Sequence, residues 1–203
     1  MVIQTIWSPF YLSRKQGMST WLSRFEPVVF RIPYGMISRF RVLIFRIFGM
    51  QLGNRNRFES GRARRLQQIR MGNLNHFTQG WFLWPEDTPS NDHRIIIGNN
   101  NYFNRNVMID ACMRIEIGDN NMFGPDVYIT DSNHTHGVGL NPHQQPMEKG
   151  KVRIGNGCWI GAKAVILKDV QLGDYCVVAA GAVVTRSFPA GSVIMGVPAR
   201  LKA

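Results

Sequence analysis

The chain is poor in three things, and each scarcity removes a class of protein. Cysteine occurs only 3 times in 203 residues, too seldom for a disulfide framework, and without an export signal those thiols point to a reducing compartment. Apolar runs are short, because Arg31, Arg39, Arg41 and Arg46 interrupt every hydrophobic stretch around them well before the roughly 20 residues a membrane crossing needs. The apolar start Met1 to Leu12 lacks a preceding basic region and a small-residue cleavage site, so it does not read as a secretory signal. Acidic residues are scarce in one region: residues 1–70 hold 13 Lys plus Arg against 2 Asp plus Glu, while residues 71–203 hold 11 of each, so the formal charge of +11 belongs to the N-terminal third.

That third also interleaves Trp7, Phe10, Trp21, Phe25, Phe30, Phe40, Phe45 and Phe48 with its basic residues, a mixture that suits an anionic membrane surface better than nucleic acid. Met36, Phe40, Leu43 and Ile47 form an apolar stripe at helical spacing, with Arg39 and Arg46 beside it. Residues 1–50 therefore read as a basic, aromatic-rich helical extension. Two uses of that helix stay open: lying in a membrane interface, or packing on the end of the remaining domain or at a subunit interface.

What the chain has in plenty is a beat of six. Ile154, Ile160, Ile166, Leu172, Val178 and Val184 recur at six-residue intervals, and four positions after each lies Cys158, Ala164, Val170, Cys176, Ala182 or Phe188. A short period of this kind marks a solenoid, whose units bury their apolar faces only against one another. Three hexads make one coil of three short strands, and both named positions should point inward. Cys158 and Cys176 then stack as small core residues one coil apart, while Cys112 has no evident partner. The beat recurs at Ile117, Phe123 and Ile129, at Ile97, Phe103 and Ile109, and more faintly at Leu52, Phe58, Met71, Phe77 and Leu83. A solenoid over 51–203 follows, with irregular connections at 59–70 and 84–96. Frequent Gly and Asn, and a period that is neither 3.6 nor 2, argue against a helical domain.

Between Ile129 and Ile154 the beat breaks into a polar loop, residues 133–151, and long loops within compact repeats are usually functional or disordered. Asp131-Ser132-Asn133-His134-Thr135-His136 stands at its entrance. A histidine there is suited to general-base work near neutral pH.

The ordered set of motifs is similar to a known family. Ile117-Gly118-Asp119-Asn120, Phe123-Gly124-Pro125-Asp126-Val127, Asp131 to His134, Trp159-Ile160-Gly161, Gly181-Ala182-Val183-Val184-Thr185 and Gly196-Val197-Pro198-Ala199-Arg200 together resemble the hexapeptide-repeat acyltransferases, in particular the galactoside, maltose and nodulation-factor O-acetyltransferases and those of colanic-acid-type exopolysaccharide synthesis. The likeness is strong over 95–203 and weak over 50–94. It implies an all-β, left-handed parallel β-helix, a homotrimer, and an acyl-CoA held in a cleft between subunits; the left hand comes from the resemblance alone, since parallel crossovers are otherwise right-handed.

The resemblance further implies His134 as the catalytic base, with His136 the lesser candidate, and Asn104, Asp110, Asp131 and Asn133 as contacts of the acceptor. Cys112 stands where a galactoside-specific relative has an acidic residue, which counts against a galactoside. Trp159, Ala162, Lys163, Ala180, Thr185, Arg186 and Arg200 match positions along the CoA path. Backbone N–H groups at Gly161 and Ala162 are the expected oxyanion donors. Acetyl-CoA carries an activated acyl group, so neither a metal nor a protein nucleophile is called for.

The expected activity is O-acetylation of a sugar hydroxyl in an exopolysaccharide, capsule or other envelope glycan, on a free or lipid-linked acceptor, in the cytoplasm or peripherally at the inner face of the membrane, with no nucleic-acid partner. Alternatives are an antibiotic or small-sugar O-acetyltransferase, a γ-type zinc carbonic anhydrase using His134, His136 and His143, and a non-enzymatic scaffold.

Overall fold

The structure, a computed structural model, describes residues 32–86, 92–139 and 141–202. The six-residue beat becomes a parallel β-helix. Successive hexads supply one strand each to three sheets, and the chain returns to the first sheet after every third. The first sheet stacks Gln51–Leu52, Ile69–Met71, Ile95–Ile97, Arg114–Ile117, Lys151–Ile154 and Gln171–Leu172 in parallel. The second includes Tyr102–Phe103, Met122–Phe123, Trp159–Ile160 and Val177–Val178, and the third includes Trp81–Pro85, Met108–Ala111, Tyr128–Thr130 and Val165–Ile166. Six coils result.

Both inward positions of the hexad are filled as the beat requires. Ile154, Ile160, Ile166, Leu172, Val178 and Val184 are buried, and so are Cys158, Ala164, Val170, Cys176, Ala182 and Phe188. Lower in the solenoid the same column is aromatic: Phe58, Phe77, Phe103 and Phe123 stack face to face with centroid separations of 5.1, 4.0 and 4.6 Å. Offset ring pairs add about 0.5–1.5 kcal/mol beyond the area they bury. Trp81 fills the second coil against Gly61, where a Cβ would lie 2.3 Å from the indole, so that coil is closed only because residue 61 has no side chain.

Two side-chain ladders run along one corner. In the buried one, backbone N–H groups of Asn75, Asn101, Asn121 and Cys158 donate to Oδ1 of Asn56, Asn75, Asn101 and Asn121 at 2.7–3.0 Å. In the outer one, the N–H groups of Asn54, Asn73, Asn99, Asp119 and Asn156 donate the other way, to Oδ1 of Asn73, Asn99, Asp119, Asn156 and Asp174. They satisfy backbone donors that a turning chain cannot pair with its own ladder. Cys158 and Cys176 continue the buried ladder as thiols, donating from Sγ to Gly173 O at 3.3 Å and Pro189 O at 3.2 Å. They are core residues with a polar task.

The connections are tighter than the faint beat suggests. Gly61–Ala63 and Ile69–Met71 are strands within the segment expected to be irregular, as are Trp81–Pro85 and Ile95–Ile97 at the edges of the next. Arg and Gln in those hexads hide an apolar period that strand pairing nonetheless enforces. The helix Ile32–Ile47 caps the open end of the first coil. Ser38 Oγ accepts from Phe58 N–H at 2.8 Å, Arg41 donates to the Phe58 and Glu59 carbonyls, and Phe45 meets Phe58 and Trp81 edge-on. Trp7, Phe10, Trp21, Phe25, Phe30 and Arg31 lie outside the described residues. Among those described, no helix is long and apolar enough to cross a membrane.

Candidate active site

The expected polar loop is a hairpin. After the fourth coil, Ser132–His134 pairs antiparallel with Met147–Lys149, setting Asn133 opposite Glu148 and His134 opposite Met147. Thr135 Oγ1 donates to Pro146 O at 2.7 Å near the tip side, and Gly150 N–H donates to Asp131 O at 2.7 Å at the base. Asn133, His134 and His136 are exposed on it.

Asp131 has a different task from the one expected of it. It is fully buried, and its carboxylate accepts from the N–H groups of Cys112 at 2.6 Å, Met113 at 2.8 Å and Arg114 at 2.5 Å. Both oxygens are thereby engaged in holding the turn between the third and fourth coils, so the side chain cannot reach an acceptor. Burial pushes its carboxyl above the ordinary value, against the pull of those three donors.

Asp110 remains available as a half-buried acid one coil below the hairpin. Thr130 and Trp84 are its register partners on either side. Tyr128 Oη donates to Asp110 Oδ2 at 3.1 Å. Burial raises the Asp110 carboxyl, while the Tyr128 hydroxyl, Arg64 and His134 act to lower it; His134 therefore lies within electrostatic reach. The Arg64 guanidinium sits 4.3 Å over the Trp84 ring beside this acid. Tyr128, Arg64 and Trp84 are absent from the sequence reading. The usable signal was coil length: Asp110 and Tyr128 are one coil apart, which makes outward residues neighbours.

A second feature runs along the second sheet. Asn104, Met122, Trp159, Ala162, Val177 and Ala180 are among the residues lining a mainly apolar groove of about 480 Å³. Its floor is kept low by glycine. A Cβ on Gly124 would lie 2.6 Å from Ala162 N, and one on Gly161 2.5 Å from Ala180 N. Gly161 N–H is spent on Val178 O at 2.7 Å and so is unavailable to an oxyanion, whereas Ala162 N–H has no protein acceptor among the described residues. Of the two expected donors, only Ala162 N–H is left without a protein acceptor among the described residues.

The remaining expected cofactor residues are not in that groove. Lys163 occupies the adjoining corner with a left-handed backbone, at φ 59°. Arg200 is on the closing hairpin, opposite Met195. Thr185 and Arg186 lie at the far edge of the third sheet, with the Arg186 guanidinium 5.3 Å over Phe188. Among the described residues no three His, Cys, Asp or Glu side chains gather into a metal-holding group.

Three-strand coils, a hairpin breaking the repeat and a glycine-floored groove define a hexapeptide-repeat solenoid. Residues 151–186 match the family model for the bacterial transferase hexapeptide (six repeats). Galactoside O-acetyltransferase of Escherichia coli K12 is 37% identical over 107 residues, covering 53% of this chain and 52% of that protein. A putative lipopolysaccharide biosynthesis O-acetyl transferase of the same organism, WbbJ, is 30% identical over 115 residues, covering 53% and 59%. Among solved structures, a galactoside acetyltransferase in complex with coenzyme A superposes with a TM-score of 0.54 at 26% identity, covering 75% of this chain and 64% of that one. Residues 151–186 thus carry the transferase hexapeptide repeat, and the solenoid is a left-handed parallel β-helix similar to those of these acetyltransferases. The chain spans about half the length of the curated relatives it matches.

Proposed function

We propose that the protein transfers an acetyl group from acetyl-CoA to a sugar hydroxyl of an exopolysaccharide, capsule or other envelope glycan, with His134 as general base. The observation that carries this reading is the pairing, in one small chain, of an exposed histidine on a braced hairpin with an apolar groove that ends on an unpaired backbone N–H. Relatives named for sugar and lipopolysaccharide O-acetylation support the acceptor class.

The chemistry follows from the groups. An alcohol attacking a thioester must lose its proton as the C–O bond forms, and His134 takes it. The carbonyl oxygen becomes an oxyanion facing Ala162 N–H, a donor of a kind worth about 3 kcal/mol. Collapse breaks the C–S bond, and the proton on His134 passes to the departing thiolate, leaving ester and free CoA. The apolar groove suits the pantetheine arm, with Trp159 at its reactive end and Lys163, Thr185, Arg186 and Arg200 for the polar parts of CoA. Asn104, Asp110 and Asn133 are assigned to the acceptor.

A trimer reconciles the spread of these residues. The hairpin leaves the third sheet, the groove lies on the second, and Thr185 and Arg186 sit at the opposite edge, so a neighbouring copy completes each site. The outward column of the second sheet is apolar and exposed at Met122, Trp159 and Val193, as a face that meets another copy would be.

Mass spectrometry of the cell-surface glycan with and without the protein tests the reading. One acetyl unit per repeat should disappear without it. An unchanged glycan, together with no acetylation of that glycan by purified protein and acetyl-CoA, defeats the proposal.

A further inference from the structure

The capping helix has two opposite faces with unlike fates. Ser38, Arg41, Val42 and Phe45 point onto the first coil, while Met36, Phe40, Leu43 and Ile47 are 62%, 64%, 55% and 70% exposed. At 3.6 residues per turn the two sets lie about 180° apart. The apolar stripe is therefore the outer surface of the end cap, turned straight away from the solenoid. This separates the two uses left open by the sequence: the helix does pack on the domain, but through a different face from the stripe.

The surroundings say what covers that stripe. Glu59 is the only acid between residues 32 and 70, against nine arginines. Two of these are committed to the cap, Arg41 to the Phe58 and Glu59 carbonyls and Arg46 to those of Leu52 and Gly53. Arg39 flanks the stripe, and Arg55, Arg57 and Arg62 are exposed on the first coil, one helix diameter, ~10 Å, behind it. That distance is about one Debye length at 0.1 M salt, so Arg39 acts strongly on a charged surface and the coil arginines more weakly. A buried protein partner would not need this excess of one charge around an apolar strip; an interfacial helix does.

We infer that the cap docks on an anionic phospholipid surface through Met36, Phe40, Leu43 and Ile47, so that the solenoid stands on its N-terminal end. His134 follows the fourth coil. Three coil steps of ~4.8 Å plus the helix thickness of ~10 Å lift its hairpin about 25 Å off the membrane. Taken with the acetyltransferase reading, on which this last step rests, the sugar modified on a lipid-linked acceptor is one remote from the lipid, not the first residue on the carrier.

The test uses the full chain. In flotation, it should rise with vesicles of phosphatidylcholine plus phosphatidylglycerol and stay down with phosphatidylcholine alone. The double substitution Phe40→Gln, Leu43→Gln places helix-compatible polar residues at exposed sites and should lower vesicle partitioning by about tenfold or more, with the melting temperature and oligomeric state unchanged. Equal flotation with both lipids overturns the proposal. So does undiminished binding by the double variant, which would move the contact elsewhere in the chain, or a changed oligomeric state, which would make the stripe a contact between copies.

Height is read separately. A fluorophore on Val138→Cys, in the fully exposed hairpin loop, should transfer energy to labelled headgroups far less than one on Gln51→Cys in the first coil. Similar transfer from both sites means that the solenoid lies flat and overturns the standing geometry. Neither readout involves acyl transfer, so failure of the enzymatic reading would show in the glycan assay and leave these results intact.

Discussion

Lys149 Nζ lies 2.6 Å from Glu86 Oε2, tying the return arm of the His134 hairpin to a residue that follows the second coil. Arg94 Nη1 reaches the same oxygen at 3.3 Å. The clamp bridges 63 residues of sequence and braces the hairpin from below.

Because the Lys149–Glu86 pair is partly exposed, its loss should cost about 1 kcal/mol or less. We expect Lys149→Met to lower kcat about fivefold by loosening His134, while the KM for acetyl-CoA stays put and Lys149→Arg restores turnover. Steady-state kinetics with both substrates varied decides it. An altered acetyl-CoA KM with normal kcat would mean the clamp shapes the donor site instead.

Removing the proposed base should be far more costly. His134→Ala is expected to lower turnover by about 100-fold or more, in line with positioned acid–base catalysis, and His136→Ala to leave it nearly unchanged. The reverse pattern would transfer the role to His136.

Asp131→Asn probes the turn. The carboxylate accepts from three N–H groups across its two oxygens, and an amide must turn its own NH₂ toward at least one of those donors. A loss of about 1–3 kcal/mol follows from a buried donor left facing a donor. Urea unfolding measures it; an unchanged midpoint would mean that the turn holds without the charge.

Burial pushes the Cys112 and Cys158 thiols up to about 11, from an ordinary value of 9.0. A raised folded-state value favours the protonated form in the folded protein, so this contribution to stability is full below pH 9 and is lost as pH rises to about 11. At pH 8 a thiol reagent should leave both unmodified in the folded protein and label them in denaturant. Rapid labelling without denaturant would contradict the burial.

The candidate site was only partly legible in the residues. His134 stood out because it stands where the beat breaks, and Trp159 only through the family resemblance. Tyr128, Glu86 and Lys149 could not, since each is defined by a partner whose proximity depends on coil length or on how the hairpin folds back. Asp131 was visible but misassigned: the resemblance made it an acceptor contact, and only burial with three N–H donors reveals a structural charge. Gly161 failed as an oxyanion donor for a similar reason, because the inter-coil ladder had already taken its N–H. The asparagine ladders were written openly in the recurring Asn and Asp of each corner, yet a composition reading sees only polar loop residues there.

The residues alone settled the solenoid, its three-strand coil and the inward columns, because a period of six can bury its apolar positions in no other common way. Charge segregation and the interrupted apolar runs were likewise complete in the sequence, being sums and lengths. Which face of the capping helix meets the domain was decided only in three dimensions. The apolar stripe at helical spacing left both packing and a membrane interface open, but the first coil offers unpaired N–H and C=O groups and the edge of an aromatic column. Ser38, Arg41 and Phe45 answer those needs better than an aliphatic stripe can, since an unsatisfied backbone group at a buried end costs more than an exposed methyl group.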